Sequence, residues 1–114
     1  MSPTNIEATL KSASPLIGVP VCIGDGRPYN TALITLDPIA ADGRAVDDPA
    51  VSSAVQSAVD AANEQLSRVE QIKRFSVIDR EWHPDGDELT PTSKLKRRAI
   101  AAKYAAQIEA MYPG

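Results

Sequence analysis

Ten consecutive residues near the C-terminus, Leu89-Thr90-Pro91-Thr92-Ser93-Lys94-Leu95-Lys96-Arg97-Arg98, hold most of the chemistry this chain could offer. Lys94 through Lys103 carries five bases and no acid. The same stretch begins a helical pattern, since Ile100, Tyr104, Ile108 and Met111 recur at four, four and three positions. Read blandly, Thr92 or Ser93 caps that helix and the bases are solvated on its first turns. The charge placement is unfavourable for a helix by itself. Cations near a helix N-terminus oppose the macrodipole, each costing about 0.3–1 kcal/mol at a surface. Their clustering here implies that an anion is expected, whether a phosphate, a carboxylate or an acidic partner surface.

The other reactive residue types form no such constellation. With one His and one Cys, a zinc site would need a carboxylate set whose spacing the sequence does not offer, so no metal is expected. His83, beside Pro84, reads as an exposed turn residue, and Cys22, inside an apolar run, as a buried and inert thiol. Asp85, Asp87 and Glu88 lack the ligand spacing of a calcium loop and read as a solvated turn. Gly24-Asp25-Gly26 is too short for a phosphate-cradling loop and does not precede a helix.

The elements that must position these residues follow from periodicity and turn chemistry. Ser2 caps a first helix with Pro3 in its first turn, and Thr4 with Glu7 spells a capping box. Ile6, Leu10 and Ala13 form its apolar side, and Pro15 ends it. Two nearly unbroken apolar runs, Val19–Ile23 and Ala32–Leu36, suit buried strands, and the Gly24–Pro28 turn between them predicts a hairpin. Asp37-Pro38 ends the second strand, and a polar surface loop runs to Asp47. Asp48-Pro49 opens the clearest amphipathic helix, with Val51, Val55, Ala58, Val59, Ala62 and Leu66 on one stripe. A third strand is predicted over Ile72–Ile78, with Phe75 and Val77 toward the core. Asp79–Glu88 is then an acidic stretch with a Pro84-Asp85-Gly86 turn. The predicted order is α-β-β-α-β-α, an α+β fold in which helices pack on a small, three-stranded, mainly antiparallel sheet.

Composition bounds what such a domain does. At 114 residues and 12.2 kDa the chain has the size of one domain, and 43% hydrophobic with 24% charged residues excludes wholesale disorder. A net charge of −3 and 4% aromatic residues leave little for a nucleic-acid surface or a base-stacking platform, so no nucleic-acid partner is expected. A single cysteine fits a reducing, cytoplasmic compartment. No apolar run approaches the roughly 20 residues of a membrane span, and Met1–Lys11 is too polar for a signal peptide.

The Leu89–Arg98 segment resembles the last core motif of the AMP-forming acyl-CoA synthetases, in which a Thr-Pro-Thr-Gly-Lys type sequence presents the adenylation lysine. The variant without glycine before the lysine, ending Lys-Leu-Lys-Arg-Arg, is typical of long-chain fatty-acid–CoA ligases. Ser2-Pro3-Thr4-Asn5-Ile6-Glu7 resembles the segment after that family's hinge. Ile23-Gly24-Asp25-Gly26-Arg27-Pro28-Tyr29 and Ala32-Leu33-Ile34-Thr35-Leu36-Asp37 resemble the paired strands that follow it. The resemblance covers nearly the whole chain, so residues 1–114 would form the small, mobile C-terminal domain of such a ligase. The large N-terminal domain and the hinge are not in the sequence. The chain is either a piece of a longer protein or a separate reading frame.

In that family a fatty acid carboxylate attacks the α-phosphate of ATP, giving acyl-adenylate and pyrophosphate. The thiolate of coenzyme A then attacks the acyl carbon and AMP departs. The resemblance implies that Lys94 serves the first step and that Thr90, Pro91 and Thr92 shape the loop that carries it. Lys96, Arg97 and Arg98 would contact the large domain or the phosphates of coenzyme A, or be solvated. The full enzyme would use ATP, Mg2+ and coenzyme A and sit in the cytoplasm, free or peripheral to a membrane. This domain alone would bind no cofactor and be inactive. The alternative is a stand-alone interaction module that keeps the fold without catalysis, docking through the basic face around Lys94 onto a separately encoded large domain.

Overall fold

A hairpin built on the Gly24–Tyr29 turn forms the centre of the molecule. Gly26 sits at φ +70°, a left-handed conformation that glycine adopts without strain, and the Arg27 N–H closes the turn on the Gly24 carbonyl at 3.0 Å. The computed structural model describes residues 3–113. The turn joins β1 (Ile17–Ile23) to β2 (Asn30–Leu36), which run antiparallel with Val21 opposite Leu33 and Cys22 opposite Ala32. A register shift between Ile17 and Pro20 leaves the Val19 N–H to be satisfied by the Thr35 hydroxyl at 2.8 Å. A Cβ on Gly18 would stand 2.8 Å from that hydroxyl, so the close approach requires glycine there.

The third strand, β3 (Ile72–Ile78), lies on the other side of β2 and runs parallel to it, giving the order β1-β2-β3. The sheet is therefore mixed, with one antiparallel and one parallel pairing, where the sequence suggested mainly antiparallel strands. The reason lies in the connection. Parallel neighbours require a crossover of about a dozen residues or more, and α3 (Pro49–Gln65) supplies it. An extra residue on β3 between the Asn30–Ile72 and Thr31–Arg74 pairs shifts its register. That shift lets Ile72 share a core with Phe75 and Val77.

Helices cover both faces of the sheet. On one face α1 (Pro3–Ala13) and α3 bury Ile6, Leu10, Val51, Val55, Val59 and Ala62 against Ile17, Cys22, Ala32 and Ile34. On the other, α4 (Arg97–Lys103) and α5 (Ala105–Ala110) bury Ile100, Tyr104 and Ile108 against Val21, Leu33 and Ile78. This two-sided cover is why β1 and β2 read as unbroken apolar runs. Alternate residues serve opposite cores: Ala32 and Ile34 point one way and Leu33 the other.

Three local readings change. The loop after Asp37 holds a single helical turn, α2 (Pro38–Ala41), because the Asp37 carboxylate accepts from the Ile39 and Ala40 N–H groups at 3.0 Å. The last helix starts at Arg97 and breaks at Tyr104, so Lys94 precedes it and neither Thr92 nor Ser93 caps it. Glu7 enters no capping box, since its carboxylate turns inward to β1 and α4. Ser2, the expected cap of α1, lies outside the described residues.

Candidate functional site

Leu89 and Leu95 pair as an isolated antiparallel bridge, and the residues between them form a tight hairpin. The Thr90 N–H donates to the Lys94 carbonyl and the Ser93 N–H to the Thr90 carbonyl, both at 2.8 Å. The Thr90 hydroxyl accepts from the Lys94 N–H at 3.0 Å and stands 3.3 Å from the Thr92 hydroxyl. Pro91 fixes its own φ, and Ser93 takes the left-handed conformation, φ +64°, that turns the chain back. Pro91, Thr92, Ser93 and Lys94 are all exposed. Among the described residues no hydrogen bond or ion pair engages the Lys94 ammonium.

The neighbouring bases are in different states. The Lys96 N–H donates to the Glu88 carbonyl and its ammonium to the Gly86 carbonyl, each at 2.8 Å, so it fastens the hairpin to the preceding turn. Arg97 forms a two-pronged ion pair with Glu7, at 2.7 and 2.8 Å. Part of the anion that the basic cluster demanded is thus supplied by α1. Arg98 is exposed and, among the described residues, has no side-chain partner. Of the three bases after Lys94, it alone keeps a free head group.

Beneath the hairpin lies a polar network inside the second core. Glu88 is 5% exposed, and its carboxylate accepts from the Tyr104 hydroxyl at 2.8 Å and pairs with the Lys103 ammonium at 2.7 Å. The Tyr104 hydroxyl in turn accepts from the Trp82 indole N–H at 3.0 Å. Burial pushes the Glu88 carboxyl up, but the hydrogen bonds from Lys103 and Tyr104 outweigh it and hold the group below its ordinary value. Glu88 is therefore a buried ion-pair member, and its reading as part of a solvated turn is corrected. His83 is exposed, as expected, 3.3 Å from the Glu81 carboxylate. Cys22 is buried beside Glu7, and burial foremost pushes its thiol up to about 11. Among the described residues no group of three or more His, Cys, Asp or Glu side chains could hold a metal ion.

A family model described as the AMP-binding enzyme C-terminal domain matches residues 1–114. The chain belongs to that family. Among the relatives of this AMP-binding enzyme C-terminal domain, the Mycobacterium tuberculosis protein that carries the name fatty-acid–CoA ligase fadD11 is 50% identical over 98% of the chain, which spans 22% of that relative. The long-chain-fatty-acid–CoA ligase FadD15 of the same species is 36% identical over 98% of the chain, which spans 21% of it. The chain thus covers about a fifth of the length of these relatives.

Solved structures share the fold of this C-terminal domain. The adenylation domain of the carboxylate reductase from Mycobacterium chelonae superposes with a TM-score of 0.83 at 22% identity, covering 98% of this chain and 18% of that one. A two-domain fragment of the carboxylic acid reductase from Segniliparus rugosus, in complex with AMP, gives 0.80 at 23% identity, with 98% and 16% covered.

Reading the sequence of this C-terminal domain alone placed the basic segment but not its supports. Glu7 reads there as half of a capping box, Glu88 as part of a solvated turn and Tyr104 as an apolar helix residue, and none as a support of the basic segment. Trp82 carried a usable signal: the only tryptophan of the chain, set among acids, is an expensive residue to leave in solvent. It is 6% exposed.

Proposed function

We propose that this chain is the C-terminal, lysine-bearing domain of a fatty-acid–CoA ligase and that Lys94 is its adenylation lysine. The observation that carries the reading is the state of Lys94: a free, exposed ammonium on the tip of a short, internally bonded hairpin, while Lys96 and Arg97 are held by the domain itself. The identity to proteins named as fatty-acid–CoA ligases supports the substrate class.

The chemistry favours a lysine at such a tip. A carboxylate must approach the α-phosphate of ATP, both being anions, and negative charge moves onto the bridging oxygen as pyrophosphate leaves. A compact, mobile cation can stabilise both in a site closed to water. Thr90, Pro91 and Thr92 hold the hairpin that presents it. Arg98, with its free guanidinium, is the base of the trio left to contact the large domain or a phosphate of coenzyme A. The acyl pocket, the ATP pocket and the site for Mg2+ belong in this reading to a large N-terminal domain, in the same chain or encoded apart. The isolated chain is accordingly inactive, takes no nucleic acid as partner and works in the cytoplasm.

The test combines this chain with the large domain of a ligase truncated where the match to this chain begins, and assays acyl-adenylate and acyl-CoA formation separately. Activity only in the combination is expected. Lys94→Ala should lower adenylation about 10²–10³-fold, the scale of losing one transition-state contact, while sparing thioester formation from supplied acyl-adenylate. Equal loss in both half-reactions, or turnover by the chain alone, would overturn the reading. A folded mixture without activity would favour the interaction module.

A further inference from the structure

We propose that Glu88 is a positioning residue for Lys94, fixing the base of the hairpin whose tip carries the ammonium. The inference rests on the adenylation role given to Lys94 above and extends it to a residue that never reaches the reacting atoms.

Glu88 works at both its ends. Its carbonyl accepts the Lys96 N–H at 2.8 Å, one residue beyond the Leu89–Leu95 bridge that closes the hairpin. Its carboxylate points the other way, into the core, to the Tyr104 hydroxyl at 2.8 Å and the Lys103 ammonium at 2.7 Å. Lys103 closes the last turn of α4, and Tyr104 is the break between α4 and α5. The Tyr104 ring stands 5.7 Å from Trp82, which donates to its hydroxyl. One residue therefore joins the hairpin to the end of α4 and the break before α5, on one face of the sheet.

A purely structural purpose would not need a carboxylate here. Its partner Tyr104 belongs to an apolar cluster with Ile78, Leu89, Ile100 and Ile108, and replacing a buried ion pair with apolar side chains is often neutral or stabilising. What such a pair supplies instead is a defined geometry, because the carboxylate oxygens and the phenol accept only certain directions. The tip from Pro91 to Lys94 is exposed, so its position is set from its base. A displacement of about 1 Å in a reacting group can cost on the order of 100-fold in rate, which makes the base a natural place for a buried, directional anchor.

The test has two parts. In the 114-residue chain, Glu88→Gln keeps the size of the side chain and removes the buried one of the two carboxylate charges, Glu88 and Asp87, that hold Lys103. Amide hydrogen exchange at Thr90 and Lys96 should quicken about 10-fold while Leu33 and Ile34 in the central strand keep their protection. In the chain combined with the ligase large domain, the same variant should lower kcat for adenylation about 10-fold, leave KM for ATP in place and spare thioester formation from acyl-adenylate. Adding Glu88→Gln to Lys94→Ala should then cause no further loss, whereas a merely structural effect would add in full. If Glu88→Gln slows both half-reactions alike, or adds its full effect to Lys94→Ala, the positioning role is overturned while Lys94 stands. If Lys94→Ala leaves adenylation intact, the functional reading falls and this inference with it. Lys103→Met, which strips the same carboxylate of its cation from outside the hairpin, should reproduce the split; failure to do so with the fold intact also counts against the proposal.

Discussion

Glu7 and Arg97, ninety positions apart, meet in a two-pronged ion pair in which Nη1 lies 2.7 Å from Oε2 and Nη2 lies 2.8 Å from Oε1. The same Oε2 accepts the Cys22 backbone N–H at 2.7 Å. One carboxylate thus ties α1, β1 and α4 together, and the first residue of the helix after the Lys94 hairpin is held by the first helix of the domain.

Glu7→Ala should destabilise the domain by about 1–3 kcal/mol, chiefly because it leaves the buried Cys22 N–H without an acceptor. Arg97→Met should cost less, since its guanidinium is partly in water and the Cys22 bond survives. Urea unfolding of both single variants and the double variant checks this. The double variant should be less destabilised than the two single effects summed, because the residues share one interaction. Strict additivity would mean that the ion pair contributes nothing beyond its parts.

Ser93 stands at φ +64°, where an L-residue carries a local cost of about 1–2 kcal/mol. Ser93→Gly removes that cost and adds freedom to the unfolded chain, worth about 0.4–1 kcal/mol, so stability should be unchanged or rise by up to about 1.6 kcal/mol. Ser93→Val should be clearly worse, because a β-branched side chain resists this conformation most. Thermal unfolding of the two variants, with the adenylation assay alongside, decides the point. Equal midpoints for Gly and Val would show that the turn does not depend on this geometry.

Patterns carried by neighbouring residues were legible in the sequence; those carried by distant partners were not. The hairpin could be read because Gly24-Asp25-Gly26 stands between two apolar runs, and α3 because Asp48-Pro49 precedes a regular stripe. The direction of β3 could not, because nothing within Ile72–Ile78 specifies which strand it joins. Lys94 was singled out by its motif, yet its place on a hairpin before the helix depends on Leu89 meeting Leu95 and on Ser93 turning left. Glu7 and Glu88 look like surface acids in sequence. Their burial follows from Arg97, Lys103 and Tyr104, which the fold brings to them.

Cys22 offers a probe of the core. Burial, with Glu7 adding to it and Arg97 opposing it, pushes the thiol up to about 11. At pH 8 its thiolate fraction should be roughly 100-fold below that of an unhindered cysteine. Labelling with a thiol reagent should therefore be slow in the folded chain and fast in denaturant. Glu7→Ala should speed it by loosening the cover over β1. Rapid labelling of the native chain would show that α1 opens far more readily than its buried Ile6 and Leu10 imply.

Glu88 should contribute to the acid limb of stability. Burial raises its carboxyl, but the bonds from Lys103 and Tyr104 prevail, so it ionises below its ordinary value of 4.5 in the folded domain. The unfolded chain consequently binds a proton at this residue at a higher pH than the folded chain does. Its contribution is complete above about 4.5 and disappears as pH falls through the lower, folded value. Asp87 and Glu109 are also held below their ordinary values, by Lys103 and Arg27 respectively, but both face solvent, where water screens such pairs. Urea midpoints measured from pH 7 down to pH 3 should fall steeply in the parent chain and more shallowly in Glu88→Gln. Asp87→Asn and Glu109→Gln should leave the slope nearly unchanged. A Glu88→Gln profile parallel to that of the parent would show that the buried carboxylate is not what acid attacks, and that exposed pairs carry the pH dependence instead.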